Sequence, residues 1–166
     1  MAEIISDKVS DRIADIVINF LDGYNCHFEA LVDFLTEKQN RILVDDLKWL
    51  EEALVDEQSF IMKGNSLEEK RLELFSQTGL KDKKLSDLPD CFPPQYAGVL
   101  KLQSDRLTKS IETIRRLNAV SKDLVERKLK VQAKLLGVSE FTGIGAYSGD
   151  AKIVKGSGSG DFLGSV

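Results

Sequence analysis

The sequence is short of the residues that interrupt helices or staple loops. Its three prolines, Pro89, Pro93 and Pro94, fall within one short stretch, and seven of its twelve glycines lie after Val138. Outside those places the chain is rich in Leu, Ile, Glu, Lys and Asp, a composition that points to helices. Only two cysteines are present, Cys26 and Cys91, with no CxxC spacing and no histidine partner pattern. A disulfide framework is therefore not expected, and the thiols are read as reduced. No run approaches the roughly 18 apolar residues of a membrane span, and no N-terminal segment joins a basic start to an apolar core. The expectation is a soluble cytoplasmic protein without membrane insertion, and 166 residues suffice for one domain or one elongated helical unit.

Charge of one sign is scarce in one region. The net charge is −4, yet residues 1–95 carry 11 basic and 20 acidic side chains, a net of −9. Residues 96–137 carry 10 basic and 4 acidic, a net of +6. A basic helix can serve nucleic acid or an anionic membrane. Here the acidic whole would be repelled by phosphates at long range, so packing of a basic helix beside acidic neighbours is the favoured reading. No nucleic-acid partner is expected.

Periodicity predicts three long helices, near 6–41, 45–77 and 96–136. In the first, Ile13, Val17, Phe20, Tyr24, His27 or Phe28, Leu31 and Leu35 recur at steps of three and four, with Ile42 seven further on, one apolar stripe. The rhythm slips at "ILVDDL", where Leu47, Leu50 and Leu54 form the next stripe and Asp45 or Asp46 suits an N-cap, so a tight helical hairpin is read there. "GNSLEEK" could end one helix at Gly64 and start another with a Ser66–Glu69 capping box. Because the heptad phase from Leu54 to Phe75 runs straight through it, one continuous helix is predicted, with Gly64 allowing a neighbour close and Gly79 as the stop. "LKDKKLSDLPDCFPPQ" reads as a connection with one short turn. In the third helix the row Leu100, Leu107, Ile114, Ser121, Lys128, Leu135 accompanies Gln103, Ser110, Leu117, Leu124, Val131, a heptad seam with a mixed lining that Gly137 ends. The fold class expected is all-α, an elongated antiparallel bundle of three long helices (residues 1–138) followed by a flexible Gly/Ser-rich tail (residues 139–166).

Nothing in the sequence reads as catalytic. His27 lies on the apolar stripe beside Phe28 with no second histidine, a packed residue rather than a base or ligand. Glu57, Glu68 and Arg71 sit near the second helix's inner seam, as a register-setting pair or as solvation at the seam's edge rather than an acid pair for catalysis. "GIGAYSG" has no preceding strand and is not a dinucleotide loop. No enzyme activity, cofactor or metal site is expected.

The stretch from His27 to Phe75, with Glu29, Leu31, Asp45, Asp46, Leu50 and Arg71, resembles the first two helices of the FlgN family, flagellar export chaperones that escort hook-associated proteins. "LNAVSKDLVERKLKVQAKLLG" is similar to the family's later segment, which favours two asparagines three apart and then Leu; Asn118 and Leu124 match, whereas Ser121 replaces the second asparagine. "AYSGD" at Tyr147 to Asp150 is similar to the family's terminal tyrosine with glycine and acid, in altered order. The resemblance covers roughly residues 20–150. It implies a chaperone of hook-associated proteins of the FlgK and FlgL type, which delivers them to the type III export gate or its ATPase complex.

An imperfect seam packs only partly within one chain and leaves apolar surface for a partner's amphipathic helix. Cargo contact is accordingly expected at Leu117, Leu124, Val131 and Leu135. The tail carries Tyr147, Ile153, Val154, Phe162 and Leu163, more than a spacer needs, and the resemblance implies that Tyr147 docks the export gate. A helical-hairpin or coiled-coil adaptor, and a chaperone of a different secretion cargo, are the alternatives.

Overall fold

The computed structural model describes residues 2–137, and the placement of side chains from residue 10 onward. The described chain is helical, without a strand: α1 spans Ala2–Leu43, α2 Leu47–Gln77, α3 Leu88–Cys91 and α4 Pro94–Leu135, with a 3-10 turn at Leu85–Asp87. At 1.5 Å rise per residue, α1 and α4 each extend about 60 Å.

The apolar stripe fixes what α1 buries. Ala14, Val17, Leu21, Tyr24, Phe28, Leu35 and Ile42 are all buried, at the three-, four- and seven-residue steps of one helix face. The hairpin after it turns in three residues. Asp45 takes a left-handed φ of 57°, a conformation that Asp tolerates better than most residues. Asp46 is the N-cap of α2: its carboxylate accepts from the Trp49 amide at 3.1 Å and from Arg41 Nη1 at 2.8 Å. Those bonds, the amide's first, hold the Asp46 carboxyl below the usual carboxylate range.

α2 runs unbroken through Gly64, as expected, but the seam is displaced: Leu54 and Ile61 are exposed, and the buried face is Ala53, Gly64, Arg71 and Phe75. The helix ends where Gly79, at φ 76°, lets the Leu80 amide donate back to the Phe75 carbonyl at 2.8 Å. The segment that follows is more structured than a simple connection. Leu85 in the 3-10 turn and Leu88 at the start of α3 are buried with Leu80, Phe75 and Leu100, closing one end of the core. The short α3 therefore adds a fourth helix to the three expected from periodicity, too brief for a repeat pattern to register. α4 starts at Pro94, inside its first turn, where a missing amide hydrogen costs nothing.

The long helices do not share their contacts evenly. α1 is central and packs along both α2 and α4, whereas α2 and α4 share no backbone approach. Lys38 meets Glu57 and Tyr24 meets Glu68, so α2 runs antiparallel to α1. Asp11 meets Tyr96, Asn25 meets Gln103 and Asp45 meets Lys128, so α4 runs parallel to α1.

Candidate functional site

α4 is tied to α1 by a polar layer as well as by its seam. Asn25 donates from Nδ2 to both the side-chain oxygen (2.7 Å) and the backbone carbonyl (3.0 Å) of Gln103. One turn on, Arg106 forks onto Glu29 with two bonds of 2.9 Å and reaches Asp22 at 2.9 Å. The Arg106 hydrogen bonds draw the Glu29 and Asp22 carboxyls below the usual carboxylate range. A buried amide pair and a bidentate fork are geometrically selective, so this layer fixes the register in which α1 presents α4. The basic helix is indeed packed beside acidic neighbours in its own chain.

The seam of α4 closes and then opens. Leu100, Gln103, Leu107, Ser110, Ile111, Ile114 and Leu117 are buried, the last at 8% exposure. Beyond them Leu124 is half-buried, Val131 is 57% exposed and Leu135 81%. The cause is the length of the neighbour. α1 ends at Leu43, and Lys128 marks the place: its ammonium donates to the Leu43 carbonyl (3.1 Å) and pairs with Asp45 (2.6 Å). A cation beside the last carbonyls of a helix suits its negative end. The turns of α4 past Lys128 have no α1 left to cover them. Of the four residues in which sequence reasoning places cargo contact, Leu117 is thus core, Leu124 stands at the edge, and Val131 and Leu135 are open.

The hairpin tip contributes to the same end of the molecule. Leu47 and Leu50 at the start of α2 share a cleft with Ile42, Val125 and Leu129, and Leu43 and Val44 are exposed beside it. Sequence reasoning places Leu47 and Leu50 on the apolar stripe of the second helix but does not single out Leu43 and Val44, nor a cleft shared with α4. Their signal was the slip of rhythm at "ILVDDL", which puts Leu43 and Val44 off the buried stripe. Arg127, Lys130 and Lys134 give this end of α4 a basic border.

Two further clusters belong to the α1–α2 interface. Tyr24 donates to Glu68 at 2.8 Å, and Arg71 holds the same carboxylate through two bonds of 2.6 and 2.8 Å while lying over the Phe75 ring. Burial, then Glu68, pushes the Tyr24 phenol up. His27 is buried between Phe28, Phe60 and Gly64, and burial, with Lys63 second, lowers its basicity. Among the described residues no group of His, Cys, Asp and Glu could hold a metal ion, and no helix is long and apolar enough to cross a membrane. Tyr147 and the rest of the tail lie outside the described residues.

A family model described as FlgN protein matches residues 14–143, most of the chain and all of α2, α3 and α4. No curated relative and no solved structure matches it.

Proposed function

The chain belongs to the FlgN family of flagellar export chaperones, and from that premise we propose that it acts in the cytoplasm on hook-associated proteins of the FlgK and FlgL type. It binds a terminal helical segment of the cargo, keeps the cargo soluble and delivers it to the flagellar type III export gate or its ATPase complex. The observation that supports this reading is that Leu124 and Val131, with Leu135 of the companion row one turn on, lose their cover where α1 ends. A cargo helix laid along them restores the apolar neighbours that α1 supplies lower down, with Leu117 as the buried base of the row of Leu124 and Val131. Three exposed or half-exposed anchors make a small contact. That favours a complex that is released again, as export requires.

Residues 1–138 form the cargo-holding unit in this scheme, and residues 139–166 a separate recognition arm in which Tyr147 docks the export gate. An aromatic on such an arm buries much surface while fixing few torsions. The scheme is tested by titrating the full chain with a purified hook-associated protein, first intact and then lacking its terminal helix. Binding of the intact protein alone supports the scheme. Equal binding of both forms removes the terminal helix as the epitope, and a stable self-associated chain that binds neither favours the adaptor reading.

A further inference from the structure

Among the described residues the largest run of exposed apolar side chains is on α2, and all of it beyond Leu47 lies away from the end of α4. Leu47, Leu54 and Ile61 recur every seven residues, with Leu72 continuing the line, and Leu54 and Ile61 are 62% and 59% exposed. Val55 and Met62 stand beside them, also exposed. The seven-residue recurrence keeps this row on one side of the helix, over about 20 Å between Leu47 and Ile61. The face of α2 that meets α1 is a different one, made by Ala53, Gly64, Arg71 and Phe75. From Leu54 onward the row stays uncovered by the described chain, because α4 pairs with α1 and its backbone does not come close to that of α2; Leu47, at the start of the row, borders the cleft with Val125, Lys128 and Leu129 of α4.

Charge around the row is one-sided. Glu51 and Glu69 are exposed about 60° around the axis from Leu54, on the open side. On the α1 side, Glu57 and Glu68 border it, already paired with Lys38 and Arg71. The lysines of α2, Lys48, Lys63 and Lys70, lie about 120° or more from Leu54, and Arg71 is buried against Glu68. The row is thus apolar with acidic borders, whereas the open end of α4 is apolar with a basic border of Lys130, Lys134 and Arg127, the last paired with Asp123 at 2.8 Å. A helix matched to one border is mismatched to the other.

We propose that this side of α2 is a second docking face, for a partner's amphipathic helix whose apolar stripe is bordered by Lys or Arg. The heptad spacing selects a helix, since two such rows interdigitate over their length. An added strand has no purchase, because the α2 backbone is already hydrogen-bonded within the helix. An anionic bilayer is disfavoured by Glu51 and Glu69, which it would repel. The face does not depend on the cargo assignment at α4, and it gives the chain a way to hold two different helices at once.

Two designed helical peptides test this directly. They share one Leu heptad stripe and carry Lys borders in one and Glu borders in the other, and each is titrated into the full-length chain. The Lys-bordered peptide is expected to bind about tenfold or more tightly than its counterpart, the difference shrinking with salt. Leu54→Gln with Ile61→Gln should reduce its affinity by about tenfold at unchanged helicity, since both side chains are largely in solvent. Glu51→Lys with Glu69→Lys should move the preference toward the Glu-bordered peptide, while Val131→Asp should leave the Lys-bordered peptide's binding unchanged. Equal binding of the two peptides, or binding indifferent to the α2 changes, overturns the proposal. A self-associated chain that Leu54→Gln with Ile61→Gln converts to monomer would also overturn it, by assigning the face to a second copy.

Discussion

His27 and Gly64 touch across the α1–α2 interface: a Cβ on Gly64 would stand 3.3 Å from His27 Nε2. That is tighter than ordinary van der Waals contact, and Phe28 and Phe60 hold the imidazole from other sides. Gly64→Val adds a branched side chain against the packed imidazole, which must give way, and should cost about 1–3 kcal/mol of stability in urea unfolding. A valine tolerated without loss would mean that the helices stand farther apart than described.

The same histidine makes stability depend on pH. Burial lowers its pKa from the ordinary 6.5, and Lys63 lowers it further. The unfolded chain therefore takes up a proton at a higher pH than the folded chain does. Its contribution to stability is complete above pH 6.5 and is lost as pH falls below that value. The melting temperature should decline between pH 7 and pH 5, and His27→Leu should flatten that decline. A second loss follows at lower pH, as the depressed carboxyls of Asp22, Glu29 and Asp46 become protonated.

Glu68 is the only carboxylate that Arg71 is seen to pair with among the described residues, and Arg71 is buried. Glu68→Ala leaves that guanidinium unpaired and the Tyr24 hydroxyl without its acceptor, which should cost about 3 kcal/mol. Replacing the whole cluster, with Tyr24→Phe, Glu68→Leu and Arg71→Met, should recover much of the loss. Chemical denaturation of the single and triple variants measures both effects.

The long helices were legible because each buries one face at helical spacing, from Val17 to Ile42 on α1 and from Leu100 to Leu117 on α4. Gly64 was legible for a related reason, since the phase of α2 passes through it unbroken. Periodicity could not reveal α3, whose four residues complete barely one turn. Nor could it show that the backbones of α2 and α4 make no close approach, because a heptad row looks the same whether or not a neighbour covers it. Leu117 and Val131 illustrate this: they belong to one row of the sequence, yet only Leu117 lies where α1 is long enough to bury it.

Tyr147→Ala should separate the two tasks proposed for the chain. Measured against purified export-gate domain and purified cargo in turn, it is expected to lose the gate and keep the cargo. Loss of cargo alone would move Tyr147 to the cargo site.

The account turns on the open end of α4, and one binding measurement reaches it most directly. Leu124→Asp with Val131→Asp is titrated with the terminal helix of a hook-associated protein, beside the unaltered chain, with circular dichroism recorded on both. The account predicts a loss of affinity of about tenfold or more at nearly unchanged helicity. Full affinity in the doubly altered chain would contradict it and place the cargo elsewhere on the molecule.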